Sequence, residues 1–366
     1  MKILYAHLSE EKFGMGGADH SVLNLISGIR EKFQDEVYCV LNPGPLAAEL
    51  RKKSIPVAEI SRKKIKTLQT LRAFGRIFSS FKPDLVHSHH RYTTFLLDLF
   101  FKSKGIPILH TQRVETSDKK LLFRFGHFVT AVSDALRQIL IARYNVPPDR
   151  VATVRNAVPS RPPDSRIVAE LRERYPRREQ QWFALCTGRF EEQKGHLYLI
   201  QAVARLPKAD RERLKIFLAG EGPWEPKLKA EIERAHLGPY FIFLGYCPCI
   251  PEILALCDFL ILPSLWEGLP RSVLEALNAG KAVLATKVSG TAEIIRDNQN
   301  GLLVPPKDSG ALAKAICDFI HRPDELRRMG KEAQKSAELF SFDQMLLEYH
   351  GLYQKLSRDF GKSSKR

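Results

Sequence analysis

Short β-branched or apolar runs alternate with stretches of period near 3.6 along nearly the whole chain, and the alternation runs through once, breaks, and starts afresh. Such a pattern builds βα units on parallel sheets, and its restart calls for two of them. In the first half the expected strands are 2–7, 36–41, 85–88, 107–110, 127–132 and 151–154, with helices at 21–30 and at 135–144 behind the capping pair Ser133 and Asp134. The break is NAVPSRPPDS, three prolines in ten residues without apolar periodicity, where an interdomain linker is expected. The second half offers strands at 182–187, 215–219, 241–244, 259–262, 282–285 and 302–304, then helices at 308–321, 324–339 and 342–356. Open parallel sheets bind ligands beyond the C-terminal ends of their strands, so two facing sheets would make a cleft with two sites.

Composition agrees with a globular two-domain chain. The 366 residues are 44% apolar and 27% charged, which excludes a disordered or collagen-like protein. The N-terminus lacks a long apolar segment and no uncharged run of eighteen apolar residues occurs, so an intracellular, cytoplasmic location is expected. Cys39, Cys186, Cys247, Cys249, Cys257 and Cys317 lack paired C-x-x-C spacing and are read as reduced thiols. The net charge of +16 is uneven: residues 1–158 hold 25 Lys and Arg against 14 Asp and Glu, the remainder 32 against 27. A basic first half attracts nucleic acid, an anionic membrane surface or phosphorylated small molecules, and charge alone does not choose among them.

Three motifs narrow the choice. GMGGADH at 14–20 follows the first strand and opens a helix; a dinucleotide fingerprint would need glycine at position 19, where Asp19 stands. What remains is a glycine loop at a helix N-terminus, where the Gly16 and Gly17 amides can approach a phosphate or sugar, or else a tight turn. CTGRFEEQKGH at 186–196 places Arg189 and Lys194 between a strand and a helix, able to grip a diphosphate from two directions or, alternatively, to be neutralised on a surface loop by Glu191 and Glu192. WEGLPRSVLEAL at 266–277 puts Glu267 at a strand end and Glu275 one turn inside the next helix. A carboxylate accepts two hydrogen bonds from vicinal hydroxyls, which suits Glu275 to a ribose and Glu267 to a sugar ring, while amides around Arg271 and Ser272 would meet phosphate. The bland alternative makes Glu267 a cap and Glu275 a surface charge.

GRFEEQKG, AGEGP, EGLPRSVLEAL, GTAEII and GLLVPP, in this order, resemble the donor domain of retaining GT-B glycosyltransferases, specifically glycosyltransferase family 4. PDLVHSHH, ILHTQR, VTAVSDAL and VRNAV follow the order of that family's acceptor domain, so the likeness covers nearly the whole chain. The resemblance implies two Rossmann-like α/β domains with parallel sheets facing across a cleft, and a last helix crossing back to the N-terminal domain. The expected division is 1–158 with 342–366 as acceptor domain, 159–180 as linker and 181–341 as donor domain. It implies that Arg189 and Lys194 bind the donor diphosphate, with Gly16 and Gly17 against it, that Glu275 holds the ribose and that Glu267 contacts the transferred sugar. Gly268, Leu269, Arg271 and Ser272 would line the donor, and the loop 246–250, ending in Ile250, would approach the base. His110 would stand at the catalytic centre, with His89, His90 and Arg113 on the acceptor side. Many family members have glycine where this chain has Pro270, which supplies no N–H but fits a first helical turn.

The resemblance further implies a nucleotide-diphosphate sugar donor, a UDP-sugar ahead of GDP- or ADP-sugars, and a saccharide or lipid-linked acceptor. No Asp-x-Asp pair occurs, so no cofactor and no metal is expected. Glu267 is the candidate nucleophile of a double displacement. Its expected place on ring hydroxyls favours front-face substitution, in which the departing phosphate oxygen takes the acceptor proton. The His cluster at 87–90 lacks a local carboxylate or Cys and is expected to line the acceptor pocket rather than hold a metal, and Cys247 and Cys249 are expected to be an ordinary pair. In 62–81, Ile65, Leu68, Leu71, Phe74, Ile77 and Phe78 form a stripe among Lys63, Lys64, Lys66, Arg72 and Arg76, which either packs on the first sheet or lies on an anionic membrane, at the cytoplasmic face of the inner membrane. Competing readings are a GT-B-shaped nucleotide-sugar-binding protein without transfer, a nucleotide-sugar epimerase, and a nucleic-acid binder. The last lacks aromatic interleaving, so no nucleic-acid partner is expected.

Overall fold

The computed structural model describes residues 1–8, 14–60, 67–101, 105–115 and 124–363. Two compact units emerge from packing, one of Met1–Asn156 with Phe342–Arg366 and one of Ala157–Ser341. In the first unit β1 (Lys2–His7), β2 (Glu36–Leu41), β3 (Val57–Glu59), β4 (Leu85–Ser88), β5 (Ile108–Gln112), β6 (Phe128–Ala131) and β7 (Val151–Thr153) form one parallel sheet. Its order is β3-β2-β1-β4-β5-β6-β7, so the chain reverses its direction of sheet growth between β1 and β4. Helices cover the faces, which is why β1 and β4 to β6 are buried along almost their whole length, the polar His87, Ser88, His110, Thr111 and Gln112 included. β3 is an addition to the expected strands; three half-buried to exposed residues at a sheet edge leave almost no apolar signal.

The stripe on the helix Thr67–Phe81 packs inward. Phe74, Ile77, Phe78 and Phe81 are buried against Leu4, Val86 and Leu97, while Arg72 and Arg76 are exposed. Lys63, Lys64, Ile65 and Lys66 lie outside the described residues, as does the side chain of Leu68. The helix Phe342–Ser363 returns to this unit and packs on the helix Gly17–Phe33 and on β4. Tyr353 Oη bonds His87 Nδ1 at 2.8 Å, and Tyr349 Oη meets Thr111 Oγ1 at 3.1 Å. Thus the last helix is tied by hydrogen bonds to the middle of the sheet.

In the second unit β8 (Trp182–Thr187), β9 (Leu214–Ala219), β10 (Phe241–Gly245), β11 (Phe259–Leu262), β12 (Ala282–Thr286) and β13 (Gly301–Val304) form a parallel sheet ordered β10-β9-β8-β11-β12-β13. The reversal falls between β8 and β11, the position where ligands bind in open α/β sheets. Ala184, Phe190, Leu199, Ile216, Phe259, Leu284 and Phe319 belong to its continuous core. The segment 159–180, expected as linker, contains the helix Ser165–Arg174, capped by Asp164 and packed on the helix Ile250–Leu256. Arg161 grips the fully buried Glu252 with two bonds of 2.5 and 3.0 Å, and the Asp164 amide adds a third at 3.0 Å. Burial pushes the Glu252 carboxyl up, but these donors outweigh it and hold it below its ordinary value. The polar segment therefore belongs to the second unit.

Candidate functional site

The loops after β8, β9 and β11 meet backbone to backbone. A Cβ on Gly220 would stand 2.0 Å from the Gly188 carbonyl oxygen, and one on Gly195 the same distance from that of Pro263. Both backbones lie at positive φ, 153° and 63°, so glycine is required twice over. This close approach lets the Lys194 stem cross Gly188 and carry its ammonium to Glu267, 2.5 Å from Oε1. The same oxygen accepts Ser264 Oγ at 2.7 Å. Glu267 is 5% exposed, and its backbone is held by Ser289 Oγ at its carbonyl, 3.2 Å. Gly290 packs on Gly268 so closely that a Cβ would fall 2.3 Å from its carbonyl oxygen. The GTAEII segment thus serves as a clamp on the Glu267 and Gly268 turn.

From that turn the chain passes through buried Leu269 and Pro270 into the helix Arg271–Asn278, whose N-cap is Pro270. Without a side-chain cap the first-turn amides, including those of Arg271 and Ser272, remain available to an anion. Glu275 sits one turn in and bonds Arg271 Nε at 2.8 Å. Burial pushes the Glu275 carboxyl up, with Arg271 pulling the other way. Arg189 is half-buried just after Gly188, while the Phe190 amide donates to the Glu221 carbonyl at 2.9 Å. Tyr246 N meets Glu221 Oε1 at 3.3 Å, which ties the loop 246–250 to the β9 loop. Cys247 and Cys249, both thiols, have their Sγ atoms 2.9 Å apart beside half-buried Ile250.

Lys194 and Glu267 are therefore in direct contact, with Arg189 on the loop after β8 and Glu275 on the helix that follows the β11 loop at the same sheet edge. The alternative in which Glu191 and Glu192 neutralise Lys194 gives way to Glu267, from 73 residues further along. Ser264 escaped sequence reasoning; its place three residues before a strand-end glutamate was the only signal.

In the first unit the corresponding reversal, β1 against β4, gathers His7, the glycine loop, His89 and His90. Asp19, the residue that breaks the dinucleotide fingerprint, accepts the Gly16 amide at Oδ2 and pairs through Oδ1 with His7 Nε2, both at 3.0 Å. Gly16 is the N-cap of the helix Gly17–Phe33, so Asp19 fixes the loop that glycine leaves pliable. His110 is 1% exposed, with Nδ1 2.8 Å from Thr94 Oγ1 and Nε2 2.9 Å from Gln112 Oε1. Burial pushes its pKa down to about 4, so the ring is neutral at pH 7, and the Gln112 acceptor places its proton on Nε2.

His87, expected to line a pocket, is a structural member instead. Both its ring nitrogens are taken, by Tyr353 and by Thr111 at 2.7 Å. His89 is buried 4.0 Å from the His87 ring centre, with Arg113 Nη2 3.5 Å from its Nδ1. His90 is half-buried beside His7, the rings 6.3 Å apart. Thr94, which sets the His110 tautomer with Gln112 of the ILHTQR string, lies in no motif that would single it out.

Two family profiles match, Glycosyltransferase Family 4 over residues 15–161 and Glycosyl transferases group 1 over residues 168–336. Among curated relatives, the putative glycosyltransferase EpsD of Bacillus subtilis is 33% identical over 183 residues, 50% of this chain and 48% of that protein. The alpha-D-kanosaminyltransferase of Streptomyces kanamyceticus is 31% identical over 45% of this chain and 43% of its own length, so the chain spans about half the length of these relatives. The N-acetyl-alpha-D-glucosaminyl L-malate synthase of Bacillus anthracis matches more widely, at 26% identity over 75% of this chain and 76% of that one. The solved structure of HepE from Anabaena in complex with UDP superposes with a TM-score of 0.83 at 21% identity, covering 97% of this chain and all of that one.

Proposed function

We propose a reaction for a chain that belongs to glycosyltransferase family 4, whose members are retaining: transfer of a sugar from a nucleoside-diphosphate sugar to a hydroxyl of a saccharide or lipid-linked acceptor. The observation that carries this reading is the Lys194 and Glu267 pair at the β8 and β11 reversal, beside Arg189 and the uncapped helix Arg271–Asn278. A Lys ammonium has three donors, and Glu267 takes one. The others can meet phosphate oxygens, with Arg189 and the first-turn amides completing the set. Glu275, poorly hydrated and near the same helix start, accepts from ribose hydroxyls.

In the transfer the bond from the anomeric carbon to the β-phosphate oxygen breaks and a bond from that carbon to the acceptor oxygen forms. Negative charge grows on the departing diphosphate, and Arg189 and Lys194 stabilise it, each by a factor of roughly 10²–10³ in rate. The acceptor proton passes to the departing phosphate oxygen on the same face, which preserves the anomeric configuration. Neutral His110, with both ring nitrogens bonded to Thr94 and Gln112, is no acid at pH 7. Glu267, held by Lys194 and Ser264, contacts sugar hydroxyls rather than serving as nucleophile.

A UDP-sugar is the proposed donor, supported by relatives such as the UDP-Gal:alpha-D-GlcNAc-diphosphoundecaprenol alpha-1,3-galactosyltransferase of Escherichia coli, 24% identical over 69% of this chain. That relative also supports a lipid-linked acceptor on the first unit, with His89, His90 and Arg113 beside it, at the cytoplasmic face of a membrane. No helix among the described residues is long and apolar enough to cross one. With the apolar stripe of Thr67–Phe81 packed inward, attraction to anionic lipid would run through exposed Arg72 and Arg76; absence of flotation with anionic vesicles at low salt removes this partner. The reaction itself is tested by incubating the chain with α-linked UDP-sugars and acceptor saccharides and recording proton NMR during turnover. An α-linked first product is expected, and a β-linked product would refute retention.

A further inference from the structure

The second unit carries another cavity, at the opposite edge of its sheet from Arg189 and Glu267. Trp182 opens β8, Asp258 immediately precedes β11 and Lys281 immediately precedes β12, so three neighbouring strands begin at its wall. The helix Pro323–Ala337 closes it with Arg327 and Lys331. Gly330 comes so near the turn before β12 that a Cβ there would stand 2.5 Å from the Gly280 carbonyl oxygen, which seats this helix against the strand starts. The cavity is open to solvent on one side and measures about 540 Å³, within the range of small-molecule sites.

Its electrostatics are one-sided. Arg177, Lys281, Arg327 and Lys331 line it against one lining acid, Asp258, while Arg327 pairs with Asp324 at 2.6 Å beside it. Asp258 is already committed, accepting Arg177 Nη1 at 2.9 Å and the Phe183 amide at 2.8 Å. Burial pushes the Lys281 ammonium below its ordinary pKa, with Asp258 pulling it back, so this cation stands where water solvates it poorly. Trp182, at the same wall, packs its ring against the hydrophobic core. The cations left after these pairings, Lys281 and Lys331, suit an organic anion whose charge is compact and rich in acceptor oxygens.

We propose that this cavity is a second binding site, for a phosphate ester or diphosphate group, separate from the donor site. The group would sit between Lys281 and Lys331. The same chemistry is offered by a free phosphorylated metabolite and by a phospholipid headgroup. Either would act on the sheet that carries Arg189 and Glu267 at its other end, so occupancy can bias the donor loops through β8, β11 and β12.

The test is calorimetric titration of the full chain with inorganic pyrophosphate in the presence of saturating UDP, which fills the proposed donor site. One equivalent of pyrophosphate is expected to bind, and Lys281→Met with Lys331→Met is expected to weaken it about tenfold or more while UDP affinity stays unchanged. Lys331→Glu alone, at an exposed position, gives the same direction should the double variant fold poorly. Absence of pyrophosphate binding with UDP present, or binding unmoved by these substitutions, overturns the proposal. Vesicles of phosphatidylcholine with and without phosphatidic acid then separate the sources. Binding to the acidic vesicles that pyrophosphate displaces assigns a lipid headgroup, and pyrophosphate binding without vesicle binding assigns a free phosphate compound.

Discussion

Lys194→Ala is expected to lower kcat/KM by about 10²–10³ and to destabilise the second unit by about 2–3 kcal/mol, two losses with separate causes. The first is removal of a cation from the departing diphosphate. The second arises because Glu267, 5% exposed, loses the ammonium 2.5 Å from its Oε1 and keeps only the Ser264 hydroxyl. Kinetics and urea denaturation on Lys194→Ala, Glu267→Gln and the double variant tell them apart. The double variant should regain most of the stability, since a neutral amide needs no counter-charge, and none of the turnover. Recovery of both together would mean that Lys194 acts only by propping Glu267.

Gly220→Ala is expected to cost about 3 kcal/mol and to weaken the donor site along with it. The added methyl carbon would stand 2.0 Å from the Gly188 carbonyl oxygen, at a φ of 153° that side chains rarely adopt. Relief requires the β8 loop to move, and the Lys194 stem lies on that loop, 3.2 Å from where a Gly188 Cβ would be. Gly238→Ala serves as the control, since nothing stands within 4 Å of its added methyl, and it should shift stability by less than about 0.5 kcal/mol. Thermal melts read both; a Gly220→Ala protein as stable as the control would mean that the loops are not packed as described.

Much of this architecture was readable from residue order because parallel strands covered on both faces appear as unbroken apolar runs, as in FLIL of β11 or KILYAH of β1. What escaped had weak or misleading local signals. The edge strand β3 is too short, and the helix Ser165–Arg174 hides behind three prolines and buries just one of its residues, Val168. The motifs placed Arg189, Lys194, Glu267 and Glu275 beyond the C-terminal ends of strands, where β8 and β11 end, because glycine loops and helix starts are local features. The contact between Lys194 and Glu267 is not local, and no spacing rule joins residues 73 apart. His87 illustrates the opposite error: a histidine in an HSHH string looks chemical, yet its nitrogens are spent on Tyr353 and Thr111 to hold the last helix. Asp19 looked like a mere defect in a glycine motif and turns out to be the residue that fastens the Gly16 amide and His7.

The central claim is that Arg189 and Lys194 hold the diphosphate of a nucleoside-diphosphate sugar at the β8 and β11 edge. Calorimetric titration of UDP into the unaltered chain and into Arg189→Ala tests it without needing the acceptor. One equivalent should bind to the unaltered chain, and the variant should bind at least about tenfold more weakly, with its melting temperature without ligand unchanged. Equal affinity in the two proteins would contradict the assignment of this edge as the donor site.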